Sequence, residues 1–419
     1  MKKLISLLII LFSLPGFSQS SSEKVKVFLD CTQSWLCDFD YVRSEMKMVT
    51  FVRDRFDADV HILVNTQSSS SGGIQSQVNF IGQKKFQSIS DTLTYFNDPT
   101  TTQDDQRKKL VQYLKLGLVH YLMNTPAAGR LQISYGDDAN NTAFSVAKDK
   151  WKSWVYQVGA NGSINGSQNY KEHSVYGYLS ADKETENWKI DFSLSANSDV
   201  QTYIQDSSTS KFTRKEYASD LEVAKSINKH WSYGIAASYA NSLFSNIEFG
   251  VRLRPKLEYS LYPYSKFNSE RIVVQYMVGP IYNNYYDTTI FFKTNEFQIQ
   301  QSINIITSFT KPWGSINLGI FYSNYFEQFS KNDLSFNGAV SWRVLKGLNF
   351  GIYGSYSIVN DQIGLRKGTF TRDELLVKSR ELRSSFQYNL GVGFSYRFGS
   401  ILNNIVNPRF RGLNYSINF

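Results

Sequence analysis

The sequence predicts a mainly β protein, in which an antiparallel transmembrane β-barrel of about twelve strands follows a small α+β domain. Three observations predict this class. Polar and apolar residues alternate over long stretches from about residue 150 onward. The hydrophobic fraction is an ordinary 42%, yet the chain contains 27 Tyr and 30 Phe. After the first 18 residues no run of about 20 apolar residues occurs, so no transmembrane helix is expected.

Residues 1–18 have the pattern of a signal peptide. A basic start and an apolar stretch precede Pro15, and small residues at Gly16 and Ser18 predict cleavage before Gln19. The apolar stretch is short for a stable membrane span, so a retained anchor is the less favoured interpretation. We therefore expect the mature protein to leave the cytoplasm.

Residues 24–125 are typical of a small α/β domain. The candidate strands are "KVKVFLD", "ADVHILVNT", "SQVNFIG" and "DTLTYFN". A short helix is predicted after Asp38, a favoured N-cap residue, and a longer one in "TTTQDDQRKKLVQYLKLGLVHYLMNT". Asp104 and Asp105 in its first turn suit the positive end of a helix dipole. Residues 126–150 are predicted to form a linker.

The two cysteines, Cys31 and Cys37, lie in "DCTQSWLCD" within this domain. In an oxidising compartment their spacing allows a disulfide if the backbone turns back on itself. We favour a structural disulfide over two buried thiols. Zinc binding is disfavoured because no second Cys/His pair lies nearby.

A cluster of charges follows in "VRDRFDADVH". Its charged members are Arg53, Asp54, Arg55, Asp57 and Asp59. One interpretation is a docking patch for a periplasmic protein partner or a small ligand. The other, which we favour, is a salt-bridged turn beside a strand. The sequence has no phosphate loop, nucleotide fingerprint or nucleic-acid module, so neither a cofactor nor a nucleic-acid partner is expected.

Residues 151–398 carry the alternating pattern that predicts the barrel. In "EFGVRLRPKLEYSL" one face carries Phe249, Leu253 and Leu257, and the other carries charged residues. The stretches exceed the 5 or 6 residues usual for a strand, and about 9 to 11 tilted residues cross a bilayer. We expect the apolar face to contact lipid and the polar face to line a lumen, with the sheet closed because lipid cannot satisfy a free edge. The predicted strands lie near 151–161, 172–181, 187–200, 212–227, 230–241, 246–262, 269–284, 294–309, 313–326, 332–344, 347–359 and 383–398.

Charged residues on the polar face are predicted to lie in the lumen; they are Glu248, Arg252, Arg254, Lys256, Glu258, Arg343 and Arg397. A ladder of positive charge can select anions through a pore. Charges of opposite sign can instead pair and fill a small lumen. We favour a narrow or filled lumen.

Connection lengths orient the predicted barrel. Long connections, expected near 162–171, 201–211, 285–293 and 360–382, alternate with short ones. Outer-membrane barrels have short periplasmic turns and longer external loops, which places the N-terminal domain in the periplasm. The tail 399–419 is either a periplasmic extension, which we favour, or contains the closing strand in "LNYSINF".

The chain resembles outer-membrane β-barrel proteins of Gram-negative bacteria. More narrowly, "VFLDCTQSWLCDFDYVRSE", "FVRDRFDADVHILV" and "FGSILNNIVNPRF" are similar to an uncharacterised group with a small N-terminal periplasmic domain. The resemblance implies an outer-membrane location, contact with outer-membrane lipid, and handling by the barrel-assembly machinery during biogenesis. It implies no activity.

Three functional hypotheses follow. The first is a non-enzymatic barrel whose periplasmic domain docks an envelope partner. The second is a narrow, anion-preferring channel for small solutes. The third, a hydrolase at the barrel rim, requires His173 or His230 beside a nucleophile. No HExxH occurs among the histidines, and we expect no catalytic or metal-binding residues. We favour the first hypothesis because a simple pore does not need a tethered domain.

Overall fold

The computed structural model describes residues 24–33, 36–69, 72–132, 149–205, 208–368, 384–406 and 409. Within these residues the chain forms one sheet of five strands and one of twelve. The predicted signal peptide and the segment "LNYSINF" lie outside the described residues. In the described part of the chain, no helix is both long enough and apolar enough to cross a membrane.

The first sheet belongs to residues 24–132, which we call the small domain. Its elements are β1 (Lys26–Cys31), α1 (Phe39–Glu45), β2 (Thr50–Phe51), β3 (Val60–Ser68), β4 (Ile74–Gly82), β5 (Ser90–Asn97) and α2 (Gln103–Leu122). The strand order is β2-β1-β3-β4-β5, with β1 parallel to both of its neighbours. Both predicted helices and the four predicted strands are present, and β2 is an additional strand of two residues.

The core of the small domain lies between one face of its sheet and α2. This helix begins after Thr102, whose hydroxyl accepts a hydrogen bond from the Asp105 amide at 3.2 Å, as an N-cap does. Leu114, Leu118 and Tyr121 then recur at helical spacing and are fully buried. Burial of this apolar stripe holds the helix on the sheet.

The second sheet, which we call the large sheet, is a continuous antiparallel meander. Its strands are β6 (Trp154–Gly166), β7 (Tyr170–Glu184), β8 (Trp188–Gln205), β9 (Ser208–Ser226), β10 (Trp231–Ser242), β11 (Ile247–Ser260), β12 (Glu270–Tyr285), β13 (Asn295–Lys311), β14 (Gly314–Tyr325), β15 (Asn332–Leu345), β16 (Leu348–Val359) and β17 (Phe386–Tyr396). The prediction of a mainly β chain with about twelve antiparallel strands after a small α/β domain is confirmed. The long connections expected at 162–171 and 201–211 are wrong, because strand pairing continues through most of these residues.

The register of the large sheet places apolar residues in rows on one face, which we call the outer face. One row crosses eight strands through Tyr233, Leu257, Tyr276, Ile303, Tyr322, Leu334, Ile358 and Phe386. Many large apolar side chains on this face are exposed, up to 79% for Val158 and 81% for Phe394. The opposite, inner face carries the polar and charged residues of the alternation.

The two edges of the large sheet are formed by β6 and β17. Within the described residues no ladder joins these two strands, and nearly all of their residues are exposed. A meander of this kind is compatible with a barrel, since its first and last strands run antiparallel to each other. Closure of the sheet stays a prediction.

Candidate functional site at the junction of the two sheets

The contact between the two sheets centres on an ion pair between Asp30 of β1 and Arg343 near the end of β15. Nη1 of Arg343 donates to Oδ2 of the carboxylate and Nη2 donates to Oδ1, each at 2.5 Å. The guanidinium also lies 5.5 Å from the centroid of the Phe28 ring and donates to the Pro312 carbonyl at 3.1 Å. The Arg343 and Asp30 side chains are only 25% and 11% exposed. A shielded, bidentate pair fixes both the distance and the orientation of the two sheets.

A buried histidine extends this ion pair into the small domain. His61 of β3 is fully buried, and its Nε2 lies 3.3 Å from Oδ2 of Asp30. Burial disfavours the charged form of Asp30, but hydrogen bonds to His61 and Arg343 outweigh it and hold the pKa of Asp30 below its usual value. Asp30 is therefore ionised at neutral pH. The sequence placed Arg343 among the lumen charges, whereas its bound partner belongs to the small domain.

The turn between β15 and β16 makes the second contact. The Lys346 ammonium lies 2.5 Å from Oδ1 of Asp57, and the Gly347 amide donates to Oδ2 of Asp54 at 2.6 Å. Gly347 has φ +76°, and a Cβ there would collide with the Arg397 carbonyl. The turn therefore requires glycine, and glycine lets the backbone amide approach Asp54.

A short strand addition makes the third contact. Leu402 forms an antiparallel bridge with Val52, beside β2. The Arg53 amide donates to the Ile401 carbonyl at 3.0 Å, and the Asn403 amide donates to the Phe51 carbonyl at 2.9 Å. These bonds satisfy the open edge of β2. The described start of the tail 399–419 thus pairs with the small domain, while most of its remainder lies outside the described residues.

The predicted docking patch lies at this junction. Asp54 and Asp57 bind the turn of the large sheet, and Asp59 bonds within the small domain. Arg53 and Arg55 line a cavity between the two regions. The charge cluster therefore contains the salt-bridged contacts of one interpretation, and several of its partners come from the distant large sheet.

The face of the small sheet opposite its helices is turned toward one end of the large sheet. Asp30 lies on this face, as do His61 and Asn65, which are buried although α2 covers the other side. Gln67 and Gln75, near the tip of the β3–β4 hairpin, share a cavity of about 670 Å³ with the β7–β8 turn and the adjoining ends of β9 and β10. The small domain therefore lies beside two separate parts of the same end of the large sheet: the β15–β16 turn, and the ends of β7 to β10.

Cys31 and Cys37 form a disulfide, with their Cα atoms 6.5 Å apart. The bond links the last residue of β1 to the segment that precedes α1. Cys37 is buried in the core of the small domain. Since Asp30 is the neighbour of Cys31, the disulfide also fixes the backbone that presents this carboxylate to the large sheet.

Several charges that the sequence placed in the lumen have partners on the inner face. Lys256 of β11 lies 2.5 Å from Oε1 of Glu222 on β9. Glu258 accepts hydrogen bonds from Tyr264 at 2.8 Å and Gln275 at 2.7 Å. This part of the inner face is therefore crosslinked by polar contacts.

The remaining predicted lumen charges differ in their surroundings. Glu248 accepts a hydrogen bond from Asn284 at 2.9 Å. In the described part of the chain no carboxylate lies within ion-pair distance of Arg252 or Arg254, and Nε of Arg254 is buried without a hydrogen-bond partner. Arg397 follows the end of β17 and lines the junction with the small domain.

The other end of the large sheet is covered by the segment 361–368, which follows β16. Its Ile363 packs against buried Ile281 and Tyr325. The Leu365 carbonyl accepts a hydrogen bond from the Ile290 amide at 2.8 Å, and the Gly364 carbonyl accepts one from the Asn246 side chain at 3.0 Å. This part of the predicted long external loop therefore folds inward across several strands.

No catalytic constellation accompanies these contacts in the described residues. His120 pairs with Asp91 at 3.0 Å, and Nδ1 of His230 lies 2.8 Å from the Ser260 carbonyl oxygen. Across the described ranges, no histidine hydrogen-bonds to a Ser, Thr or Cys side chain. The same ranges contain no group of three His, Cys, Asp or Glu residues arranged to hold a metal ion.

The fold and the junction define a structural class. The protein is mainly β, and its twelve-stranded antiparallel sheet, which is compatible with a β-barrel, carries a small α/β domain at one end. The chain matches no known protein-family model and no curated protein.

Proposed function

We propose that the protein is an integral β-barrel of a Gram-negative outer membrane, with its small domain in the periplasm. The apolar outer face of the large sheet carries this proposal. Exposed residues such as Leu194, Leu253 and Ile303 recur strand after strand, and soluble proteins rarely expose so large an apolar surface. The strands, which contain 11 to 19 residues, are long enough to cross a bilayer.

Two further observations support this location. Residues 1–18 have the pattern of an export signal, and a disulfide between Cys31 and Cys37 suits an oxidising compartment. In lipid, the free edges of β6 and β17 would leave backbone groups without hydrogen bonds. We therefore infer that these two strands pair with each other in the membrane, which completes a barrel.

The function we propose for this barrel is non-enzymatic: it anchors the small domain, which docks an envelope partner. The patch at residues 53–59 engages the chain's own large sheet, so the partner would bind the surface that faces the periplasm. That surface includes α2, where Leu116 and Met123 are 55% and 60% exposed. Exposed apolar side chains on a helix are typical of protein contacts.

A narrow anion-preferring channel is the second candidate. It is favoured by Arg252 and Arg254, which face inward without a carboxylate at ion-pair distance among the described residues. Positive charge of this kind attracts anions into a pore. The small domain at one end and the segment 361–368 at the other favour a lumen that is closed at rest.

Single-channel conductance in a planar bilayer tests both candidates. The refolded mature protein should insert, become resistant to protease within its strands, and conduct no steady current. Arg343→Asp and Asp30→Arg should each release the small domain and raise conductance if the lumen behind it is open. The double variant, which reverses the ion pair, should return to the closed state.

The outcomes separate the hypotheses. A protein that does not insert into lipid overturns the barrel. Steady wild-type current with anion preference that Arg254→Glu reverses favours the channel over the docking function. Silence from wild type and from both single variants leaves a filled barrel, whose small domain then accounts for its function.

A further inference from the structure

A cavity of about 490 Å³ lies where the small domain meets the ends of β15 and β17. Four arginines line it: Arg53 and Arg55 from the small domain, Arg343 from β15, and Arg397 from the end of β17. Lys346 adds a fifth positive charge. The elements that carry these residues are far apart in the sequence and meet only at this junction.

The positive charge in the cavity is only partly neutralised. Asp30 pairs with Arg343 and Asp57 pairs with Lys346, and Asp54, which also lines the cavity, accepts a hydrogen bond from the Gly347 amide. Among the described residues no carboxylate lies within ion-pair distance of the other three arginines. Five positive side chains and three carboxylates therefore leave the cavity with an excess of positive charge.

Arg55 shows most clearly that the charge is uncompensated. Its Nε atom is buried and has no hydrogen-bond partner among the described residues. Burial and the positive charge of Arg343 lower the pKa of Arg55 by more than the carboxylates of Asp54 and Asp30 raise it, so its cationic form is disfavoured where it stands. A bound anion would accept this unused donor and offset the repulsion between the two guanidinium groups.

The opposite side of the cavity is apolar and exposed. Phe398, Tyr396 and Leu345 line it and are 85%, 58% and 51% exposed. Phe394, Tyr396 and Phe398 are alternate residues, so Tyr396 and Phe398 continue the apolar outer face of β17 past the end of the strand. A ligand that fits both sides has an anionic group for the arginines and an apolar part for the outer face.

We propose that this cavity binds the phosphate group of an anionic phospholipid, with the acyl chains lying along the outer face of β17. Guanidinium groups bind phosphate in a bidentate manner, and a lipid would place its phosphate at the level of the small domain. The inference rests on the membrane location proposed above. Inorganic phosphate has the same anionic chemistry but would leave the apolar side of the cavity uncovered.

Native mass spectrometry of the full mature protein tests this binding. The protein is reconstituted in bilayers of equal phosphatidylglycerol and phosphatidylcholine, and lipid retained after release is measured. We expect one retained phosphatidylglycerol with at least about tenfold preference over phosphatidylcholine, a difference of about 1.4 kcal/mol. The double variant Arg55→Gln/Arg397→Gln should lose this preference. Arg130→Gln, which removes an exposed arginine elsewhere on the small domain, should keep it.

The remaining outcomes show whether the phosphate belongs to a lipid or is free. They also separate failure of the lipid site from failure of the proposed membrane location. Retention of phosphatidylglycerol by the double variant, or no preference in wild type, overturns the inference. Displacement of the lipid by inorganic phosphate alone overturns the lipid as the source. Protease protection of the same samples reports insertion separately, so an inserted protein without lipid preference refutes only the lipid site. The single variant Arg53→Gln, at an exposed side chain, repeats the test with less risk to folding.

Discussion

The two regions of the molecule place the same residue types in opposite positions. In the small domain, Val27, Ile62 and Leu114 are fully buried between the sheet and its helix. In the large sheet, Val158 and Ile164 are 79% and 78% exposed on the outer face. The difference fits the membrane location that we propose, because apolar side chains are stable where water is excluded, either by protein or by lipid.

The ion pairs of the two regions also lie in different places. On the inner face of the large sheet, charged pairs such as Lys256 of β11 with Glu222 of β9 link two strands across the strand between them, β10. In the small domain, several ion pairs lie on the exposed side of α2, where Asp104 contacts Arg107 and Lys108. Exposed pairs of this kind contribute little to stability. The small domain should therefore depend on its apolar core, and the large sheet on the contact with lipid that we propose for its outer face.

The largest effect that the comparison predicts is in the core of the small domain. Leu114→Ala removes a fully buried side chain and should lower the free energy of unfolding by about 4 kcal/mol. Leu116→Ala, two residues further along α2 and 55% exposed, should change it by less than about 0.5 kcal/mol. Denaturant unfolding of both variants, followed by circular dichroism, measures the difference. Equal losses would show that the exposed side of α2 is also packed.

The next effect concerns the outer face of the large sheet. Leu253, near the middle of β11, is 45% exposed, and Leu253→Arg should destabilise the protein in lipid vesicles by about 3 kcal/mol. The control is Ser193→Arg on the inner face of β8, where the new cation lies opposite Asp220 of β9 and Ser180 of β7 in the register. Urea unfolding in vesicles measures both variants. A Leu253→Arg protein as stable as the control would refute contact between this face and lipid.

A smaller effect concerns the ion pair that joins the regions, and it depends on pH. At neutral pH, Asp30→Asn should reduce stability by about 2 kcal/mol, because the carboxylate binds a charged donor. The pKa of Asp30 lies below its ordinary value of 3.8. Its contribution is therefore fully present above pH 3.8 and is lost as the pH falls through the lower folded-state pKa. Unfolding by guanidinium chloride at a series of acid pH values measures the difference in the free energy of unfolding between the wild type and Asp30→Asn.

The matched control for this series is Asp98→Asn, which neutralises an exposed carboxylate of the small domain. Its stability should follow that of the wild type at every pH. The difference in the free energy of unfolding between the wild type and Asp30→Asn should shrink in strong acid. If it stays constant, the ion pair with Arg343 is not the source of that difference.

The sequence predicted the large sheet well because each strand has two faces with different surroundings. Alternation therefore marked all twelve strands. It identified the face of a residue but not its contacts at the end of a strand, and so Arg343 was grouped with the lumen charges. Asp30 and Arg343 are 313 residues apart, and no local pattern links them. β2 was missed because two residues are too few to show alternation.

Part of the junction could be predicted from sequence, and part could not. The sequence identified the charge cluster at residues 53–59, and two of its carboxylates, Asp54 and Asp57, bind the β15–β16 turn. Their partners in the β15–β16 turn depend on the relative placement of two regions, which single-sequence periodicity does not contain. The pairing of Leu402 with Val52 was missed for the same reason.

The smallest predicted effect concerns the N-cap of α2 in the small domain. The Thr102 hydroxyl accepts a hydrogen bond from the Asp105 amide at 3.2 Å and caps α2. Thr102→Ala should lower the free energy of unfolding by about 1 kcal/mol, because the first-turn amide loses its partner. Thr101→Ala, at the preceding residue, should have less than half of this effect, because the hydrogen bond that residue makes to Gln106 uses its backbone carbonyl. Equal losses in the two variants would indicate that α2 is stabilised by its packing against the sheet and not by its cap.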